Sequence, residues 1–237
     1  MSVKIDMKSL FEAGAHFGHK TSRWHPKMAP YIHSKRGDSH IINLDKTVEQ
    51  LEAALPAVTK VVESGKQVLF VGTKKQIRDI VREAAVSVGQ PYVVERWIGG
   101  MLTNVQTINS QIKNLKNIEK KMASGELASR YNKLEVQRYQ EQIDADNLKY
   151  GGIKEMRGKP GMVFVVDAVV DRNAINEANK LGIPVVALSD TNTDPAGIDY
   201  VIPMNDDALG AVKLVASYVA QAVADGQKVS DKKVEEK

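Results

Sequence analysis

Between Met162 and Met204 lie three apolar runs of strand length, at residues 162–166, 184–188 and 200–202. A run that is apolar at every position is a strand buried on both faces, which requires a parallel sheet with helices on each side. A helix over 172–181 joins the first two, with Ala174, Ile175, Ala178 and Leu181 on its apolar face and Gly182 as its stop. Right-handed crossovers place every strand's C-terminal end on one edge, where Asp167, Asp190, Asn192 and Asn205 gather. In an open α/β sheet that edge is the ligand crevice.

The same alternation runs earlier in the chain. Residues 41–44, 68–71 and 92–94 read as further strands of this sheet. Thr47 and Gln50 have capping-box spacing for a helix facing inward with Val48, Leu51, Leu55, Val58 and Val62, bent by Pro56 and ended by Gly65. A helix over 74–88 repeats Ile77, Ile80, Val81, Ala84, Ala85 and Val88, closed by Gly89. From 103 to 150 strand signals vanish. Ile108, Ile112, Leu115, Ile118 and Met122 are spaced by steps of four and three, and Leu127, Tyr131, Leu134 and Ile143 continue past a break at Ser124-Gly125. Two helices, each about 30 Å long, are expected to make an antiparallel hairpin protruding from the α/β domain. A last helix opens near Asp206-Asp207 and ends at Gly226. The expected organisation is a basic arm (1–40), an α/β domain (41–102 and 151–226), a helical hairpin (103–150) and a disordered tail (227–237).

The arm holds all five histidines, Trp24 and seven Lys or Arg against Asp6, Glu12 and Asp38. Ser9 and Glu12 suit a capping box for a short helix over 9–15, while Pro26, Pro30 and Gly37 argue for ordered but irregular chain beyond it. Deleting residues 1–36 is expected to leave the core folded. The net charge of +4 is compatible with an anionic partner, and the absence of cysteine excludes disulfides and thiol chemistry. No apolar run reaches membrane-span length, and the N-terminus is too polar for a secretion signal, so a cytoplasmic chain is expected.

Gly72-Thr73-Lys74-Lys75, between strand and helix, invites a phosphate-loop reading, but the glycine spacing of a nucleotide loop is missing. A backbone phosphate of a nucleic acid, or a plain helix cap, fits better. His16 and His19 stand three apart and could share a metal or serve structure or RNA. The edge aspartates could hold a cation, yet no nucleophile–base pair accompanies them, so no enzyme is expected. Arg96-Trp97-Ile98-Gly99-Gly100 is either a surface for stacking on bases or a hinge packing Trp97 on the sheet.

Several long motifs occur in order: AGAHFGH (13–19), WHPKM (24–28), HIINL (40–44), FVGTKKQ (70–76), RWIGGMLTN (96–104), GGIK (151–154), LGIP (181–184), DTN (190–192) and IPMNDDA (202–208). Together they resemble the bacterial small-subunit ribosomal protein two family, from near residue 9 to near 225. His25 stands where that family often has Asn, and Asn43 where Asp is common. The resemblance implies a flavodoxin-like three-layer α/β fold with an inserted coiled-coil hairpin. It implies a structural role in translation without cofactor, membrane or small-molecule substrate. The implied partners are small-subunit ribosomal RNA, ribosomal protein one and neighbouring small-subunit proteins. Lys20, Arg23, Trp24, Lys27 and Arg36 are the RNA contacts it suggests on the arm, with Lys74, Lys75, Arg96 and Asn104 beyond it. Their expected work is phosphate neutralisation and shape recognition. The alternative is a phosphate- or nucleotide-binding doubly wound enzyme.

Overall fold

The computed structural model describes residues 3–235. Its N-terminal part forms α1 (Met7–Glu12), β1 (Phe17–Lys20), a 3-10 helix (Pro26–Tyr31), β2 (Ile32–Arg36) and β3 (Ser39–Ile42). These strands pair antiparallel in the order β1-β3-β2. The arm is thus a regular small sheet rather than irregular chain, and the run at 41–44 supplies its central strand instead of joining the parallel sheet. The physical reason is a hairpin signal. Gly37 takes φ +60, and Gly37-Asp38 closes a two-residue turn that pairs Arg36 with Ser39. The cap of α1 is Asp6, which accepts from Lys8 N and the Ser9 hydroxyl, so the Ser9–Glu12 capping box does not form.

Next come α2 (Leu44–Glu63), β4 (Val68–Val71), α3 (Arg78–Ser87) and β5 (Tyr92–Val93). The helical insertion follows as α4 (Val105–Ala123), α5 (Glu126–Arg130) and α6 (Lys133–Tyr150). The chain ends with β6 (Met162–Val165), α7 (Arg172–Lys180), β7 (Val185–Ser189), β8 (Tyr200–Pro203) and α8 (Leu209–Glu235). β4 to β8 form one parallel sheet in the order β5-β4-β6-β7-β8. Numbered within the sheet this is 2-1-3-4-5, the flavodoxin order, with its switch point between β4 and β6.

The two-faced burial read from sequence follows from the pleat. Val68, Phe70, Met162, Phe164, Val186, Leu188 and Ile202 face α2, α3 and α8, and Phe70 meets Phe164 edge to face at 5.5 Å. Leu69, Val71, Val163, Val165, Val185 and Ala187 face α7 and the root of the insertion.

Three helix boundaries differ from expectation. α2 is capped by Asn43, whose side chain accepts from Asp45 N, while Thr47 lies inside the helix and bonds Pro203 O. α3 begins at Arg78, because 74–77 form a turn closed by Ile77 N on Lys74 O. α8 runs through Gly226 to Glu235, so the expected tail is helical as far as it is described. Gly226 is there for contact, not as a stop: a Cβ on it would lie 2.7 Å from Thr59 O, where α8 crosses α2.

In the insertion, the outgoing chain is split into α4 and α5 where Gly125 takes φ +74. Glu119 of α4 accepts from Asn147 of α6 and from Lys154. Ile108 and Ile112 join the second core face beside Trp97, Met101, Leu102 and Ile153. Farther along, Leu134 and Leu148 are exposed.

Candidate nucleic-acid interface

The arm is seated across the C-terminal edge of the parallel sheet. Leu10 and Ala15 are fully buried in the main core. Asn205 N donates to Ala15 O, His25 N to Thr191 O, and His19 N to both Asp190 Oδ1 and Thr191 Oγ1. His19 Nδ1 lies 2.9 Å from Asp190 Oδ2. Gly18 makes the approach possible, since a Cβ there would lie 2.7 Å from the Thr191 methyl. Deletion of 1–36 would open this junction, so the expectation that the core survives it is revised.

Beneath the arm, the switch point is filled by the protein's own side chains. Lys74 Nζ lies 3.0 Å from Asp167, 3.1 Å from Asp206 and 2.7 Å from Asp207. Thr73 donates to Asp171 through its amide (3.0 Å) and hydroxyl (2.8 Å). Burial disfavours the Lys74 ammonium, but Asp207, Asp206 and Asp167 outweigh it and raise its pKa. Burial and the neighbouring Asp167 and Asp190 push Asp206 up to about 7, against the pull of Lys74. Burial also pushes Asp171 up to about 6 despite its two bonds from Thr73. The hydrogen bond to Asp190 raises the His19 pKa in the face of burial. Five carboxylates around one ammonium and one imidazole make a crevice that repels phosphate. The Gly72-Thr73-Lys74 turn is therefore no phosphate loop, and the half-buried Lys74 is tied to the protein's own aspartates.

The other arm candidates point outward. Lys20, Arg23, Trp24, Lys27 and Arg36 are all exposed. Lys20 and Arg23 border one shallow cavity with His19 and Asp207. Lys27 pairs with Asp194 at 3.0 Å, while Lys20, Arg23 and Arg36 make no salt bridge among the described residues. Trp24 leans on His40 at 5.3 Å. His25 and Asn43, where the chain departs from the family pattern, both act as helix N-caps through a side-chain acceptor. His16 and His19 do not converge: His16 stacks between Phe11 and Phe17, and His19 turns to Asp190.

Lys75, Arg96 and Asn104 are exposed on the loops after β4 and β5. Between Arg96 and Asn104 the chain wraps one carboxylate that sequence reading passed over, Glu177 of α7. Glu177 accepts from Trp97 Nε1 (3.1 Å), Gly100 N (2.7 Å), Leu102 N (3.0 Å), Thr103 N (3.1 Å) and Thr103 Oγ1 (3.1 Å). Burial disfavours its anion, yet these donors more than offset that and hold its pKa below the usual glutamate value. The signal was present: Glu177 sits three residues after Ala174 and beside Ala178, on the apolar face of its helix.

A family model described as Ribosomal protein S2 matches residues 10–226. The chain is 48% identical over 224 residues to the small ribosomal subunit protein uS2 of Rhodospirillum rubrum, covering 94% of this chain and 84% of that one. It is 46% identical over 223 residues to the protein of that name from Roseiflexus sp. strain RS-1, covering 94% and 85%. Against its counterpart from Chlamydia abortus it is 48% identical over 226 residues, covering 94% and 80%.

Proposed function

The chain belongs to the ribosomal protein S2 family, and from that premise we propose that it binds small-subunit ribosomal RNA through two exposed basic surfaces. Membership makes it a structural, non-enzymatic component of the small ribosomal subunit. The observation that carries the RNA reading is the split between inward and outward cations. Lys74 is consumed by three aspartates, whereas Lys20 and Arg36 on the antiparallel sheet and Arg23 in the turn after β1 make no salt bridge among the described residues. Unpaired cations on a fixed backbone can replace counterions along folded RNA without first breaking internal bonds.

In this reading Lys20, Arg23, Lys27 and Arg36 neutralise phosphates, and Trp24 offers an aromatic face beside them. Lys75, Arg96 and Asn104 form the second contact. We assign Lys74 to holding the switch point. The chain also supports docking of ribosomal protein one, as the family resemblance implies. Among the described residues no helix is long and apolar enough to cross a membrane.

Sedimentation of the tagged protein from lysate through sucrose gradients at low and high salt tests the reading. Co-migration with small subunits that weakens as salt rises is the expected result. Migration only as free protein at both salt concentrations overturns it. Subunits prepared without this chain are expected to retain less ribosomal protein one.

A further inference from the structure

We infer that Glu177 is a positioning residue for the RNA-facing loop, presetting the backbone from which Arg96 and Asn104 reach phosphate; this rests on the RNA-binding reading above. A carboxylate placed among Ala174, Ile175 and Ala178 is costly to bury unless it is fully bonded. Glu177 is only 8% exposed, and it is fully bonded. Every donor comes from one loop segment, 97–103. No donor from α7 or the sheet contributes: the carboxylate satisfies the buried Trp97 indole and Leu102 amide and fixes the loop that carries them. Its bonds shape the loop.

The shape is specific. Gly100 takes φ +88, a left-handed conformation that leaves its amide aimed at Glu177. Asn104 N then closes on Gly100 O at 2.7 Å and starts α4. Arg96 and Asn104 are the exposed residues immediately outside the clamped segment, one at each end. A loop of this length is ordinarily mobile. If only a fraction of molecules holds the binding geometry, apparent affinity falls by that fraction. The five-bond clamp keeps that fraction near one before RNA arrives.

The test is a double-mutant cycle on the full chain, titrating small-subunit ribosomal RNA at several salt concentrations. Arg96→Ala is expected to weaken binding roughly 5- to 10-fold and to lower the salt slope by about one. Glu177→Gln keeps the volume but turns an amide group toward backbone donors, and is expected to weaken binding to a similar degree. The double variant is expected to be no worse than the weaker-binding single, because Arg96 is already misplaced when Glu177 is lost. Effects that multiply instead overturn the inference and leave Glu177 a purely structural residue. Hydrogen exchange without RNA gives an independent reading. Protection at Gly100, Leu102 and Thr103 is expected to collapse in Glu177→Gln while β4, β6 and β7 stay protected. Protection that persists at those amides overturns the inference even if RNA binding falls. A wild-type chain that fails to bind RNA removes the RNA reading and this inference with it, whereas wild-type binding with a multiplicative cycle removes only the inference.

Discussion

The arm and the helical insertion look alike in sequence, as charged segments flanking or interrupting an α/β core, yet they join that core by opposite means. The arm is knitted in along its length. Leu10 and Ala15 sit in the main core, and His19, His25 and Ala15 bond to Asp190, Thr191 and Asn205. The insertion is held at its root, by Ile108, Ile112 and Ile153 against the second core face and by the Glu177 clamp on the loop that leads into it. The two joints also respond to pH with opposite signs. His19 has a raised pKa, so its contribution is complete below the ordinary histidine value and is lost as pH rises through the folded one. Asp206, pushed to about 7, acts in the same direction, because the folded state binds its proton more tightly than the unfolded chain does. Glu177 has a lowered pKa, so its contribution is present above the ordinary glutamate value and is lost as pH falls through the folded one.

The sharpest way to break this contrast is to remove each region in turn. Deleting 1–36 is expected to abolish cooperative unfolding measured by circular dichroism, because it uncovers the core beside α2 and α8. Replacing 120–146 by a short Gly-Ser linker is expected to preserve it, since Glu119 and Asn147 already touch across the cut. A stable arm-less core would make the two regions equivalent after all. Single side chains give a smaller effect. Leu10→Ala is expected to cost about 2–5 kcal/mol in denaturant titrations, and Leu134→Ala, more than half exposed, to stay within about 0.5 kcal/mol. Equal costs at the two positions would show that the insertion is packed as tightly as the arm. The smallest effect concerns pH. Stability is expected to decline as pH rises above about 6.5, the ordinary histidine value. His19→Gln is expected to make that decline shallower by about 1.5–3 kcal/mol, the scale of one hydrogen bond to a charged group. An unchanged profile in the variant would mean the arm is held by its backbone bonds alone.

What was legible in the sequence follows a physical line. The strands of the parallel sheet could be placed because their apolar runs answer to a local rule, burial on both faces, and all five, β4 to β8, lie within a residue of the expected bounds. The flavodoxin order was legible through family motifs, not through periodicity. The arm was misread because Pro26, Pro30 and Gly37 were weighed as breakers, when Gly37-Asp38 closes a hairpin and Pro26 opens a 3-10 helix. Capping was misplaced at α1 and α2 by a residue spacing that several neighbours could satisfy; Asp6 and Asn43 won because their side chains reach the free amides. Lys74 looked like an RNA contact because its aspartates are about 90 to 130 residues away, and no local pattern reports them. Glu177, like the Gly37-Asp38 turn, carried a local sign, an acid on an apolar stripe.

The seating of the arm has a further consequence in time. His19 and its partner Asp190 are 171 residues apart, and the chain is made from the arm end first. At roughly 5–20 residues per second, about 9–34 s separate the synthesis of one from the other. Through that interval the β2–β3 hairpin can form and α1 can meet α2, but His19 lacks Asp190 and Ala15 lacks Asn205. A chain interrupted before residue 190 cannot make these bonds, so a seated arm reports that synthesis has passed the end of the parallel sheet.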